Sequence, residues 1–128
     1  MIKHKILVVD DEESIRTLLI DFFEMKGYEV LVAASAEEAL KLLGTNNIYV
    51  MFFDLKLTGM NGLELCRKVR EFHPLAIIHA ITGYGSLFEI LDCRKAGFDD
   101  YFRKPLVLED IYDAASDAFR ILNRWGVT

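Results

Sequence analysis

Apolar positions alternate between short continuous runs and runs at helical spacing, and the alternation predicts five β-α units. Ile6 to Val9 is a short apolar strand. Ile15, Leu18, Leu19, Phe22 and Phe23 then recur at three- and four-residue steps, which places them on one face of a helix ending near Gly27. Tyr28 to Ala33 reads as a second strand. Ser35 with Glu38 fits a capping box opening a helix whose Ala36, Ala39, Leu40 and Leu43 form the buried stripe, with Gly44 as its end. Ile48 to Phe53 is a third strand, stopping at Asp54. The turn residues Gly59, Asn61 and Gly62 lead into a helix through Leu65, Cys66 and Val69, which ends before Pro74. Ala76 to Ile81 predicts strand four, Ser86 to Ala96 a helix capped by Gly97, and Phe98 to Phe102 strand five. Leu108, Ile111, Ala115, Ala118, Phe119 and Leu122 stripe a last helix.

Strands one, three and four are apolar along their length, which suits strands covered by helices on both faces. The sheet is therefore expected to be parallel, in an open, doubly wound α/β fold. Ligands of such sheets sit beyond the carboxyl ends of the strands. The residues at those ends are therefore informative: Asp10 and Asp11 after strand one, Asp54 after strand three, Thr82 after strand four, Lys104 and Pro105 after strand five. Strand two contributes nothing comparable.

Length and composition narrow the function. The 128 residues, 52% hydrophobic, suffice for one buried core, so residues 1-128 are expected to form a single domain with its core at about 4-122. A net charge of -5 gives no broad footprint for nucleic acid or an anionic membrane. Cys66 and Cys93 lack metal-motif spacing and read as two reduced thiols packed in helices, which suits a cytoplasmic protein. The N-terminal apolar run is too short for a signal peptide or a membrane span. His79, inside a strand, and His73, before Pro74, read as packing and helix-end residues.

Three carboxylates aimed at one crevice repel each other unless a cation sits among them, and hard oxygen ligands suit magnesium. Thr82 and Lys104 add a hydroxyl and an ammonium at the same edge. Together they imply phosphoryl chemistry with Asp54 as nucleophile, a carboxylate able to form an aspartyl-phosphate. Each residue also has a plainer reading. Asp11, Glu12 and Glu13 suit a helix N-terminus, Thr82 a turn and Lys104 a solvated surface charge. Their common edge favours the chemical reading.

The stretches VVDDE, FFDLKLTGMNG, ITGYGS and YFRKP, in this order and spacing, resemble the receiver domain of two-component response regulators. The resemblance covers essentially the whole chain. It implies a flavodoxin-like (βα)5 fold with strand order 2-1-3-4-5. Residue by residue, it implies Asp54 as phosphoacceptor, Asp11 as a direct ligand of Mg2+, for which Mn2+ can substitute, Asp10 as a residue positioning the ion, and the backbone carbonyl of Lys56 as a further ligand. Thr82 corresponds to the switch hydroxyl, Lys104 to the lysine pairing with the phosphoryl group, and Tyr101 to the aromatic that rotates between outer and inner positions. Lys104-Pro105 resembles the family's cis peptide. Lys56 and Tyr84 occupy positions that tune the lifetime of the phosphorylated state. The implied donor is a sensor histidine kinase or a histidine phosphotransfer protein. The implied output is a partner or output domain reading the face of helix four, strand five and helix five, and the resemblance allows a phosphorylation-linked homodimer. Leu57 and Thr58 depart from the common methionine and proline of the turn after the phosphoacceptor.

Rival readings differ in sequence. A magnesium-dependent aspartyl-phosphate phosphatase commonly carries an acid two residues after its nucleophile, where this chain has Lys56. A flavin module needs a hydroxyl- and glycine-rich phosphate loop after strand one, where Asp10 to Glu13 would repel a phosphate. A phosphorylation-independent interaction module is the remaining alternative. Arg124 to Thr128 leaves no length for an output domain, so a stand-alone receiver or a piece of a longer regulator is expected. Trp125 reads as a packing anchor for the last helix, with an interface role as the alternative.

Overall fold

The computed structural model describes residues 4-83 and 86-127, with the backbone alone at 87 and 88. Strands and helices alternate: β1 (Lys5–Val9), α1 (Glu13–Met25), β2 (Glu29–Ala33), α2 (Ala36–Thr45), β3 (Val50–Asp54), α3 (Gly62–Phe72), β4 (Ile77–Thr82), α4 (Leu87–Ala96), β5 (Asp100–Arg103) and α5 (Leu108–Arg124). The strands form one parallel sheet in the order β2-β1-β3-β4-β5. This is the flavodoxin-like arrangement.

Side chains alternate across a strand, so each inner strand supplies both cores. Leu7, Val9, Met51 and Phe53 face α2 and α3 through Ala36, Ala39, Leu65, Cys66 and Val69. Ile6, Val8, Val50 and Phe52 face α1 and α5 through Leu19, Phe23, Ile111, Ala115 and Leu122. Burial on both sides is why β1, β3 and β4 are nearly continuous apolar runs. The strands β2 and β5, at the two edges, are only partly covered. Among the described residues, no helix is long and apolar enough to cross a membrane.

Several expected details change. Leu18 is exposed, because the buried stripe of α1 is narrower and runs through Leu19 and Phe23. Gly44 does not end α2. The helix continues to Thr45, where Asn46 satisfies the Leu42 carbonyl with its backbone N–H at 2.9 Å and its side-chain amide at 3.0 Å. Leu40 and Leu43 are partly rather than fully buried. Strand β5 starts at Asp100, not Phe98, because Gly97 is left-handed (φ 106°) and both Gly97 and Phe98 donate back to the Cys93 carbonyl. Strand β2 starts one residue later than expected, β3 begins at Val50 and takes in Asp54, and β4 takes in Thr82. Trp125 is 76% exposed and anchors no core, while Val127 packs against the α1/α5 core. Cys66 and Cys93 are free, buried thiols, and burial pushes their pKa values up to about 12 and about 11.

His79 stacks on Phe52, its cross-strand partner, at 4.2 Å between ring centroids, and its Nδ1 lies 2.8 Å from the Met51 carbonyl oxygen. A carbonyl only accepts, so Nδ1 carries the proton. Burial lowers the pKa of this histidine, against a smaller upward pull from that hydrogen bond. Its contribution to stability is therefore present above the ordinary histidine value and lost as pH falls through the lowered one. Urea unfolding between pH 5 and pH 8 is expected to show stability changing with pH more positively in wild type than in His79→Phe, by at most about 1.4 kcal/mol per pH unit, the equivalent of one proton. Parallel slopes would remove His79 as their source.

Candidate functional site

The parallel register brings four strand ends to one edge. Asp10 follows β1, Asp54 closes β3, Thr82 closes β4 and Lys104 follows β5. Backbone bonds knit these ends together: Asp10 N–H donates to Ala33 O (3.1 Å), Leu55 N–H to Ile81 O (3.0 Å) and Lys104 N–H to Thr82 O (2.7 Å). Gly62 fits where the turn after β3 returns against the strand, because a Cβ there would lie 2.8 Å from Leu55 Cα and closer still to the Asp54 carbonyl oxygen.

Asp10 and Asp54 are held alike. Each gives Oδ1 to the backbone N–H two residues on, Glu12 N–H at 2.9 Å and Lys56 N–H at 3.0 Å. Each thereby turns Oδ2 toward Lys104, whose Nζ lies 3.1 Å from Asp54 Oδ2 and 3.5 Å from Asp10 Oδ2. Glu12 Oε1 completes the ammonium's surroundings at 3.2 Å. Burial pulls the Lys104 pKa down, but the hydrogen bond to Asp54 and the charges of Asp10 and Asp54 outweigh it, so the net shift is upward and the ammonium stays charged. Asp10, with 0% of its surface exposed, is pushed up to about 6, chiefly by burial and further by Asp54, against the lowering effects of the Glu12 N–H and Lys104.

One ammonium does not balance this site. Asp10, Asp11, Glu12 and Asp54 each offer a carboxylate oxygen, all within 4.8 Å of one another. The buried Asp10 Oδ2 accepts no hydrogen bond. Clustered hard oxygens, excess negative charge and an orphaned buried acceptor fit a divalent ion such as Mg2+. Asp11, Glu12 and Asp54 open onto a cleft of about 930 Å³ lined also by Lys56, Thr82 and Glu89.

The structure thus brings Asp10, Asp11, Asp54 and Lys104 together, with Thr82 beside them. Lys56 is exposed on the loop after β3 and lines the same cleft. Tyr101 is half-buried on β5, and its hydroxyl donates to Glu89 Oε1. The Lys104-Pro105 peptide is cis. Tyr84 lies outside the described residues. Gly83 opens onto free space, since a Cβ there would meet nothing within 4 Å. Sequence reasoning missed two residues. Glu12 reads as a helix-start charge yet joins the acidic cluster. Glu89 follows Ser86 at capping-box spacing, which sends the eye to the helix end, whereas its carboxylate accepts from Thr82 and Tyr101.

Residues 6–116 match the response regulator receiver domain family, and the chain belongs to it. It is a receiver domain of two-component phosphorelay systems, a class of signalling switches whose members interact with histidine kinases or phosphotransfer proteins. It is 32% identical over 114 residues to sporulation initiation phosphotransferase F of Bacillus subtilis (strain 168), covering 89% of this chain and 92% of that protein. It is 40% identical over 101 residues to the alkaline phosphatase synthesis transcriptional regulatory protein PhoP of the same strain, covering 79% of this chain but only 42% of that protein. Among solved structures, the CheY-like receiver domain protein from Methanospirillum hungatei JF-1 superposes with a TM-score of 0.92 at 31% identity, covering 96% of this chain and 98% of that one. A two-component response regulator from Clostridium difficile gives 0.91 at 30% identity, over 94% and 99%.

Proposed function

We propose that this chain is a phosphorylation-driven switch in which Asp54 accepts a phosphoryl group from a phosphohistidine on a sensor kinase or phosphotransfer protein. The observation that carries this reading is the pairing of Asp54 Oδ2 with Lys104 at 3.1 Å beside the orphaned Asp10 Oδ2. Asp54 Oδ2 attacks the phosphorus, the P–N bond to the donor imidazole breaks, and the imidazole leaves with the bonding pair and takes up a proton. Lys104, already against Asp54, pairs with the phosphoryl oxygens, and the Thr82 hydroxyl turns to donate to one of them. Asp11, Asp54 and the Lys56 carbonyl would hold a Mg2+ ion, with Asp10 positioning it, and the ion would supply further positive charge to those oxygens. Hydrolysis reverses the state: water attacks phosphorus, the O–P bond breaks, inorganic phosphate leaves with the water's oxygen while a proton passes to solvent, and the Asp54 carboxylate is restored. Lys56, which lines the cleft, and Tyr84 tune that step.

Phosphorylation puts a group carrying about 1.5 to 2 negative charges at neutral pH where the carboxylate carried one, and places those charges on the phosphoryl oxygens. Thr82 moving toward them, with Tyr101 following inward, alters the face of α4, β5 and α5 by population shift. Ile90 and Leu91 stand exposed on α4 beside a groove that Tyr101 lines, a surface suited to a partner or output domain. Residues 1-128 act as one receiver unit, in the cytoplasm, without touching nucleic acid. Intact-protein mass after incubation with acetyl phosphate is expected to show a gain of one phosphoryl group that requires Mg2+. Absence of that gain with acetyl phosphate, and again with a phosphorylated histidine donor, would leave an interaction module that works without phosphorylation.

A further inference from the structure

Glu89 stands in the first turn of α4, where its backbone N–H donates to Ser86 Oγ at 3.2 Å. Its carboxylate turns inward, and the single atom Oε1 accepts the Thr82 hydroxyl at 2.5 Å and the Tyr101 hydroxyl at 3.2 Å. A hydroxyl has one proton to donate. While Thr82 gives that proton to Glu89, it has none for a phosphoryl oxygen on Asp54. Thr82 is also almost wholly buried, so this charge-assisted bond faces little competition from water.

The two ends of α4 are held differently. At its C-terminal end the Gly97 carbonyl accepts from Arg70 Nε at 2.9 Å and Nη2 at 2.7 Å, and Arg70 also pairs with Asp99. That end is tied through α3 to the start of β5. Among the described side chains of α4, Cys93 and Ala96, both in its second half, are the buried ones. Glu89, in the first half, ties the helix to β4 and β5 through polar bonds that a rearrangement can exchange.

The geometry points to Glu89 as a positioning residue that latches Thr82 and Tyr101 in the resting arrangement and so sets how readily the switch turns on. The inference rests on the reading of Asp54 as phosphoacceptor. A phosphoryl group there competes with Glu89 for the Thr82 proton and adds like charge that repels the Glu89 carboxylate. Once Thr82 has left, Glu89 retains its bond to Tyr101, so the aromatic and the first turn of α4 rearrange together about the Arg70-held end. Glu89 thus joins the phosphorylation site to the output face.

The test compares wild type with Glu89→Gln and Glu89→Ala in two measurements. The first is the NMR signal of the Tyr101 ring in unphosphorylated protein. The second is the rate of phosphorylation by acetyl phosphate with Mg2+. Loss of the latch is expected to shift the Tyr101 signal toward its position in the phosphorylated wild type. It should also raise the rate by roughly three- to tenfold, the gain open to a competent state that is populated at about one part in ten. Glu89→Gln, which keeps the shape and loses the charge, should fall between the other two. A Tyr101 signal and a rate unchanged in both variants, or a rate that falls in both, would overturn the latch. Failure of wild type itself to take up phosphate would instead sink the role of Asp54, and the Tyr101 signal of the unphosphorylated variants would still decide whether Glu89 holds that ring.

Discussion

Asp54→Asn is expected to take up no phosphoryl group from acetyl phosphate under Mg2+ conditions in which the wild type gains one. An amide is not a nucleophile toward phosphorus, and among the described residues no other carboxylate combines the position of Asp54 with its contact to Lys104 at 3.1 Å. Asp10 is fully buried at the base of the cluster with Lys104 at 3.5 Å, and Glu12, 3.2 Å from Lys104, stands exposed at the start of α1. The substitution leaves the fold in place. An asparagine of the same shape keeps its carbonyl oxygen available to the Lys56 N–H, the bond that fixes the start of the turn after β3. It also removes a negative charge that raises the Asp10 pKa, which offsets the loss of the ion pair with Lys104. Peptide mapping of both proteins checks the outcome. A phosphoryl group found on Asp10 or Asp11 in wild type, or retained at full stoichiometry in the variant, would displace Asp54 from the role proposed for it.

The sequence made the strand ends legible because burial on both faces forces β1, β3 and β4 to be continuous apolar runs, and such runs stop visibly at a charge. Asp10 and Asp54 each stand at such a stop, and Lys104 follows β5 at the same edge, so the site could be assembled from the topology alone. The edges were less legible. Strand β5 is only partly covered, and Phe98, apolar for packing against Phe53, mimics a strand start while its backbone completes the cap of α4. Gly44 looks like a helix end, but the side chain of Asn46 does that work two residues later. Trp125 shows the limit of composition, since a lone tryptophan near a helix end reads as an anchor and is instead exposed. Glu89 was hidden for a different reason. Its spacing from Ser86 is that of a cap, and only the meeting of α4 with β4 and β5 shows that its carboxylate has two hydroxyl donors.

The acidic cluster should make the metal-free protein less stable at neutral pH than a variant lacking Asp10. The folded protein raises the Asp10 pKa from 3.8 to about 6, first through burial. A folded value above the unfolded one means that the contribution of this group to stability is fully present below the unfolded value and is lost as pH rises through about 6. The gap of roughly two units corresponds to about 3 kcal/mol at pH 7, with the attraction to Lys104 already counted in the folded value of about 6. Asp10→Asn is therefore expected to exceed wild type by about 1 to 3 kcal/mol in urea unfolding at pH 7 with a chelator present, and to match it at the acid end of the transition. His79 is present in both proteins, so its opposite slope cancels in the comparison. Added Mg2+ should narrow or reverse the gap, because a ligand at a hundred times its Kd stabilises by about 2.7 kcal/mol and the variant lacks the orphaned oxygen that helps to place the ion. If Asp10→Asn were the less stable protein at pH 7 without metal, the ionised Asp10 would be a net stabilising partner of Lys104. The cluster would then be an ion pair that holds the strand ends together, with no strain for a cation to relieve.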